Sequence, residues 1–498
     1  MRFRPWLRYL LLWIGAAPYS LLRAQTQIDV NPGMSAADLQ GAIALAPAGS
    51  EVAFAAGTYN ITSEIRIPCR NLKLTGPAVA LPTAILAASY TGRTIFSFAG
   101  GCSQLGSIEH LHFENTGAVY FGAGDNSHFA FQHNVVSNLP SGGKNVGSES
   151  GLFFDGSLST VLSDVLIRDN AFGDPNSCAQ AFATGTDEGG YCAGVLISQG
   201  EADRITIERN NFVHVEEGVH FNQLATYQPG VRNSVCVSCK LEYNYIVHYH
   251  RIGIEIQVST PSDSILVEHN AIVDPLNSSY GTFAVSLACC QWGFVMGRDG
   301  YSPALIFDDN VLVASQPIGY ECPPYGVEFW GLGSQGRNSL IEGTFCNGYT
   351  WGYGDGPWAI THNYICGPNY AKGGGYITNQ QHQHNPPEQS GNVTGPACVA
   401  IPSVAPVISP AGGGIAGAQT VSLADKGLNT GIWYTTDGSA PVPGSGTARY
   451  YTGPIKIAQA TTVKAVGMWG APNQPLRYPP GYGYVPSQVV SATFSPGR

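Results

Sequence analysis

Hydrophobic and polar residues alternate in three short pieces between residues 204 and 223, "RITIERNNFVHVEEGVHFNQ". Ile205 and Ile207 belong to the first piece, Phe212 to the second, and Val219 and Phe221 to the third. Strict alternation over a few residues predicts a β-strand with one buried face. The Asn-Asn and Glu-Glu-Gly interruptions are not of the Asn-Gly kind that makes tight hairpins. The pattern therefore predicts a strand that bends twice and continues.

An asparagine between two hydrophobic residues recurs along the chain in the order hydrophobic-x-x-Asn-x-hydrophobic. The intervals run from 26 residues, between Asn244 and Asn270, to 53 residues, between Asn310 and Asn363. Most copies follow an alternating stretch. The seven asparagines are Asn134, Asn170, Asn210, Asn244, Asn270, Asn310 and Asn363.

Such periods suit either a propeller blade or a solenoid. A propeller needs four hairpin-linked strands and its own signature residues in each period, and the sequence shows neither. Each copy instead predicts strand, corner, strand, corner, strand, which is one coil of a parallel β-helix. An asparagine at the corner tolerates left-handed dihedral angles, and its amide can hydrogen-bond to the equivalent asparagine of the next coil. The predicted fold class is therefore all-β.

The segment "ADLQGAIALAPAGSEVAFAAGTYNI" fits the start of such a solenoid. It predicts a helix from Ala37 to Leu45 that covers the open end of the cylinder, and then a first coil. With the seven coils, it makes residues 25–400 resemble the pectin-lyase-like superfamily of right-handed parallel β-helices. The resemblance implies a fold and a secreted protein, but no particular reaction.

The repeat stops near Val404, and proline and glycine become more frequent. Residues 404–495 resemble the β-sandwich module at the C-terminus of chitobiase-like glycosidases, in "YTTDGSAP" at 434–441, "YTGPI" at 451–455 and "TTVKAVG" at 461–467. The resemblance implies a role in a carbohydrate-active protein, either as a spacer or as a glycan-binding unit. The exposed aromatic residues for glycan binding would be Trp469, Tyr478, Tyr482 and Tyr484.

Composition and charge limit the classes of function that the protein can have. Only 12% of the 498 residues are charged and 62 are glycine, which is typical of many short strands joined by turns. Residues 1–24 combine three early arginines with an apolar run, which predicts a signal peptide and a secreted, periplasmic or extracellular protein. Cleavage would leave a net charge of (24 − 4) − 34 = −14. This argues against nucleic acid and anionic membranes as partners, while the oligomeric state is left open.

The 12 cysteines all lie between Cys69 and Cys398, and an even count behind a signal peptide predicts disulfides. The pairs closest in sequence are Cys178 with Cys192 and Cys236 with Cys239. No second Cys pair and no His pair stands at zinc spacing, so we expect no metal site.

Alternation also predicts which residues point outward on the third strand of each coil. Because Val219 and Phe221 point inward, His220 points outward, and the same reasoning puts Glu255 and Glu328 in its column. The alternative is that these are solvated residues of a polar sheet face. The expected substrate-binding residues are Asp155, Asn222, Gln257, Trp330, Tyr325 and Arg251.

Carboxylates, an imidazole, amides and an aromatic side chain in one groove predict a glycoside hydrolase that cleaves a polysaccharide. Glu255 and Glu328 are two strands apart, about 9.6 Å, which suits an inverting mechanism with Glu255 as base and Glu328 as acid. His220 would orient Glu255 or hold the sugar. No cofactor is expected for hydrolysis.

Two alternatives stay open. A polysaccharide lyase acting on uronates would need a base and a cation such as Ca²⁺, and a non-catalytic adhesin would use the solenoid as a rod. The Trp-x-Asp-His run of pectate lyases and the Gly-His-Gly run of polygalacturonases are absent from the sequence.

Overall fold

The computed structural model describes residues 26–496, in some strands by the backbone alone. The gaps are 80, 93, 141–149, 157–159, 179–191, 199–200, 223–234, 250–251, 259–264, 274–282, 290–304, 314–326, 331–348, 352–357, 367–387, 392, 396–400, 416, 425–429, 444 and 470–483. The predicted signal peptide lies outside these residues. No helix within the described ranges is long and apolar enough to span a bilayer.

Three long parallel sheets make up the first part of the chain, and each coil contributes in turn to sheets A, B and C. Sheet A contains β1 (Gln27–Val30), β2 (Glu51–Phe54), β5 (Leu72–Thr75), β8 (Gly106–Glu109), β11 (Asn126–Gln132), β14 (Val161–Arg168), β17 (Glu201–Glu208), β20 (Val235–Val237), β21 (Cys239–Glu242), β24 (Ile265–Glu268), β27 (Leu305–Asp308), β31 (Trp358–Thr361) and β33 (Glu388–Ser390). Sheet B contains β3 (Gly57–Ile61), β6 (Ala84–Ala88), β9 (Leu111–Glu114), β12 (Val135–Ser137), β15 (Ala171–Phe172), β18 (Asn211–Val213), β22 (Tyr245–Val247), β25 (Ala271–Val273), β28 (Val311–Val313), β32 (Tyr364–Cys366) and β34 (Val393–Gly395). Sheet C contains β4 (Ile65–Ile67), β7 (Thr94–Phe98), β10 (Gly117–Phe121), β13 (Leu152–Asp155), β16 (Ala193–Ser198), β19 (Glu217–Asn222), β23 (Ile252–Val258), β26 (Phe283–Cys289), β29 (Val327–Trp330) and β30 (Tyr349–Trp351).

The coil from β17 to β19 shows why the sequence folds this way. Ile205 and Ile207 on β17, Phe212 on β18, and Val219 and Phe221 on β19 are all fully buried in one hydrophobic core. Alternation puts every second residue inside the cylinder, and the corners carry the chain from one sheet to the next. The parallel β-helix predicted from the repeat is confirmed.

Each repeated asparagine is buried at the corner between sheets A and B and hydrogen-bonds to the equivalent asparagine of an adjacent coil. Asn210 Nδ2 donates to Asn244 Oδ1 at 3.1 Å and to the Ile167 carbonyl at 2.9 Å, while Asn210 Oδ1 accepts from the Asn170 backbone N–H at 3.1 Å. The predicted ladder is therefore present. The expectation that the asparagine itself adopts left-handed dihedrals is wrong, because that conformation belongs to the preceding residue, such as Arg209 with φ of 54°.

The helix α1 (Ala36–Leu45) covers the N-terminal end of the core. Ser35 caps it, since the Ser35 side chain accepts from the Asp38 backbone N–H and the Asp38 carboxylate accepts from the Ser35 backbone N–H. Leu39 and Ile43 are fully buried in the same cluster as the first strands. The predicted cap is confirmed, with its start one residue earlier than expected.

Two disulfides join described residues, Cys69 to Cys102 and Cys178 to Cys192. The second was one of the two pairs favoured by sequence spacing. Cys239 is also disulfide-bonded, but its partner is not among the described side chains.

The C-terminal part has its own core and mostly antiparallel strands. A three-stranded sheet lies beside a five-stranded sheet, which is the sandwich expected from the sequence. The three strands are β36 (Val407–Ser409), β38 (Gln419–Ala424) and β41 (Ile455–Ile457), and the five are β37 (Gly413–Ile415), β39 (Thr430–Thr435), β40 (Arg449–Tyr450), β42 (Thr461–Trp469) and β44 (Val490–Pro496). A separate parallel pair joins β35 (Ile401–Pro402) and β43 (Tyr484–Val485).

Candidate functional site

One column of residues crosses the outer face of sheet C from coil to coil. His220 on β19 stands opposite Glu255 on β23, Glu255 opposite Ser286 on β26, and Ser286 opposite Glu328 on β29. Toward the N-terminus the column continues through Leu196, Phe153 and Tyr120. The structure describes the backbone of Ser286 and Glu328, but not their side chains.

Three ionisable side chains meet at this column. The Nδ1 atom of His220 lies 2.5 Å from Glu217 Oε2, and its Nε2 atom lies 3.5 Å from Glu255 Oε2. Their side chains are 1%, 0% and 3% exposed, respectively. The imidazole therefore lies between two carboxylates in a region of low dielectric, where charge interactions are much stronger than in water.

The burial of His220 and Glu255 argues against the alternative that they are solvated residues of a polar sheet face. Phe153 and Leu196, which precede His220 in the column, form a small cluster of their own with Ala193 and Tyr120, separate from the cylinder core. The outer face of sheet C is thus covered from β10 to β16. Alternation identifies which face a residue is on, but not whether that face is covered.

Glu217 was not among the site residues expected from the sequence, in which Glu216 and Glu217 belong to the Glu-Glu-Gly interruption. Both are buried, and Glu216 Oε2 accepts a hydrogen bond from the Cys192 backbone N–H at 3.2 Å. Strand alternation places residues i and i+3 on opposite faces, so the pattern gave no reason to pair Glu217 with His220. Glu217 is the first residue of β19, directly after the corner, which brings its carboxylate to the imidazole.

The other predicted site residues divide into three groups. Asp155 is half-buried and accepts a hydrogen bond from the Tyr120 hydroxyl at 2.7 Å. The register puts Asn222 opposite Gln257, and the same column reaches Trp330 through Ala288. For Asn222, Gln257 and Trp330 the structure describes the backbone only. Tyr325 and Arg251 lie outside the described residues, as do Tyr478 and Tyr482 of the C-terminal module.

A second acidic column, which the sequence analysis missed, runs along sheet A. It contains Glu208, Glu242, Glu268 and Asp308 on successive strands. Burial, followed by the charge of Glu242, raises the pKa of the Glu268 carboxyl to about 7. At the adjacent corner, the Arg209 guanidinium forms a bidentate pair with Asp169 at 3.0 and 3.2 Å.

Coil stacking, the asparagine ladder and the C-terminal sandwich together define a two-part all-β protein built on a parallel β-helix. Residues 410–475 match the family model of the chitobiase/beta-hexosaminidase C-terminal domain. No curated protein matches the chain.

Several solved structures are similar at low identity. An alginate lyase from Paenibacillus sp. str. FPU-7 is 15% identical with a TM-score of 0.35, over 61% of this chain and 91% of that one. PfbA, a surface adhesin of Streptococcus pneumoniae, is 10% identical with a TM-score of 0.40, over 69% and 86% of the two chains. The tailspike protein of Acinetobacter baumannii phage AM24 is 11% identical with a TM-score of 0.37, over 95% and 72%. Likeness at this level transfers no activity to this chain.

Proposed function

We propose that this protein is a secreted carbohydrate-active enzyme, a glycoside hydrolase that cleaves a polysaccharide at the outer face of sheet C. The observation that carries the proposal is the register ladder from His220 through Glu255 and Ser286 to Glu328. It puts one histidine and two glutamates from three different coils at successive positions of one register column. The C-terminal match to a domain of chitobiase and β-hexosaminidase supports carbohydrate as the substrate class.

The spacing of the two carboxylates favours inversion at the cleaved sugar carbon. Glu255 and Glu328 are two strands apart, which places their backbones about 9.6 Å from each other. Inverting hydrolases hold their carboxyl groups about 6.5–9.5 Å apart to admit a water molecule, whereas retaining enzymes need about 5–5.5 Å. Glu255, held by His220, would accept a proton from the attacking water, and Glu328 would protonate the leaving oxygen.

Incubation with a panel of neutral, amino-sugar and uronate polysaccharides tests the proposal. We expect new reducing ends without the ultraviolet absorbance of an unsaturated uronate, and NMR of the first product should show an inverted anomeric centre. Glu255→Gln and Glu328→Gln should each reduce turnover by at least 10²-fold. The matched control is Glu114→Gln, a half-buried glutamate on β9 of sheet B, which should retain activity.

The same panel separates the other function classes. The appearance of the unsaturated uronate band would identify a lyase and overturn hydrolysis. Retained binding with no bond cleavage on any substrate would identify an adhesin. Near-normal hydrolysis by either glutamine variant would show that this pair is not catalytic.

A further inference from the structure

We propose that His220 and Glu255 bind a divalent transition-metal cation of the Zn²⁺ type, and that Glu217 orients His220 for that role. This inference rests on the proposed site and adds a cofactor to it. It departs from the sequence analysis, which expected no metal.

The two nitrogens of His220 face different carboxylates. Glu217 Oε2 lies 2.5 Å from Nδ1, whereas Glu255 Oε2 lies 3.5 Å from Nε2. A histidine that binds a metal through one nitrogen usually donates its other N–H to a carboxylate or carbonyl, which fixes the tautomer and raises the basicity of the ligand. Glu217 is placed for that second contact, and it leaves Nε2 as the ligand atom.

The separation of Nε2 and the Glu255 oxygen fits two ligands of one tetrahedral ion. Zinc bonds to histidine nitrogen and carboxylate oxygen are about 2.0–2.2 Å long. With bonds of that length, donor atoms 3.5 Å apart subtend about 115° at the metal. One ligand atom from each of the three residues lies within 4.8 Å of the other two, so little movement is needed to form the site.

Burial and the two-strand framework favour a preformed site. All three side chains are at least 97% buried. His220 and Glu255 stand directly opposite each other on hydrogen-bonded parallel strands, which fixes their separation. The donor set also selects the metal, because imidazole with carboxylate suits Zn²⁺, Mn²⁺, Fe²⁺ or Co²⁺, whereas Ca²⁺ takes oxygen ligands in larger number.

The proposed ion would lie at the Glu255 end of the span that leads through Ser286 to Glu328. In the proposed hydrolysis this is where the attacking water binds. A divalent cation bound by His220 and Glu255 would lower the pKa of its water and so favour the nucleophile near neutral pH. Glu255 would bind the cation through one carboxylate oxygen and, as in the proposed hydrolysis, would accept the proton of this water through the other.

Metal analysis of the purified full-length protein tests the inference without relying on any variant. After dialysis against chelator and then against Zn²⁺, Mn²⁺ or Ca²⁺, elemental analysis should find about one Zn²⁺ or Mn²⁺ per chain. The metal should also raise the melting temperature. Less than 0.1 equivalent of either ion, or uptake of Ca²⁺ alone, would overturn the site.

Variants then locate the ion. His220→Ala and Glu255→Gln should lose stoichiometric metal, whereas Glu217→Gln should keep it with roughly 10- to 100-fold weaker affinity. The matched control is His362→Ala, which removes an exposed imidazole 3.0 Å from the Asp308 carboxylate and should bind metal normally. Full metal content in His220→Ala would place the ion elsewhere and contradict the proposal.

The outcomes also separate this inference from the proposed function. Hydrolysis by a metal-free wild-type protein would refute the role of the metal in the reaction and leave the hydrolase intact, whereas the metal analysis alone decides whether the site binds a cation. Stoichiometric metal without cleavage of any polysaccharide would support the metal site and refute the hydrolase.

Discussion

Glu242 and Glu268 stand directly opposite each other on β21 and β24 of sheet A, and both side chains are half-buried. Burial, followed by the charge of Glu242, raises the pKa of the Glu268 carboxyl to about 7. Two carboxylates one strand apart in a partly buried position repel each other when both are ionised. Glu268 therefore retains its proton in the folded protein at pH values where the unfolded chain has lost it.

This relationship predicts a loss of stability as the pH rises from about 4.5 to about 7. The ordinary pKa of the group is 4.5 and its folded value is about 7, so the folded state binds the proton more tightly over that interval. The stabilisation that Glu268 gains from this tighter proton binding is complete below pH 4.5. It is lost as the pH rises through about 7. Glu268→Gln should abolish this dependence and stabilise the protein by about 1–2 kcal/mol at pH 8, after allowance for partial exposure.

Urea unfolding at several pH values between 4 and 8.5 measures the effect. Glu114→Gln, outside the acidic column, should keep the wild-type pH profile. An unchanged profile in Glu268→Gln would show that another group titrates in this interval.

The asparagine ladder should be among the least replaceable features of the molecule. Asn210→Ala leaves the buried Asn170 backbone N–H and the Ile167 carbonyl without their Asn210 partners. Each buried group left unpaired costs about 1–3 kcal/mol, so we expect about 2–6 kcal/mol in total. Chemical denaturation measures the loss. Asn60→Ala, at an exposed position on β3, should cost less than about 0.5 kcal/mol, and equal effects would exclude the ladder as the cause.

The fold was predictable because its signals are local. An asparagine at a fixed offset between two hydrophobic residues marks each coil regardless of the loop length between coils. Ile205, Ile207, Val219 and Phe221 all point inward, as two-residue alternation requires. The same rule put His220 and Glu255 in one column, because a parallel register preserves the face of each residue.

The chemistry of the site was less predictable because it depends on contacts between coils. The sequence does not show that the outer face of sheet C is covered near His220. It also separates Glu217 from His220 by three positions, which alternation assigns to opposite faces. The raised pKa of Glu268 likewise comes from burial first, and then from the charges of Glu242 and Asp308 on the strands to either side, and loops of unequal length separate these residues in sequence.

Aromatic stacking inside the cylinder should contribute strongly to stability. Phe172 lies between Phe131 and Phe212, with ring centroids 6.0 and 5.1 Å away, and all three are fully buried. Phe172→Ala would leave a cavity between neighbouring coils and should cost about 3–5 kcal/mol. Phe172→Leu retains more of the volume and should cost less. Equal losses in the two variants, measured by urea unfolding, would show that cavity volume is not the cause.

The Cys178–Cys192 disulfide should stabilise the protein by restricting its unfolded chain. The bond closes a loop of 14 residues, and both cysteines are fully buried. A loop of about 15 residues corresponds to about 3 kcal/mol of lost loop-closure entropy in the unfolded state. Cys178→Ala combined with Cys192→Ala should therefore lower the unfolding free energy by about that amount under oxidising conditions. If unfolding and refolding are carried out with excess reductant, the difference from the wild type should shrink to the small effect of the side-chain replacement. A double variant as stable as the oxidised wild type would show that this cross-link contributes little to stability.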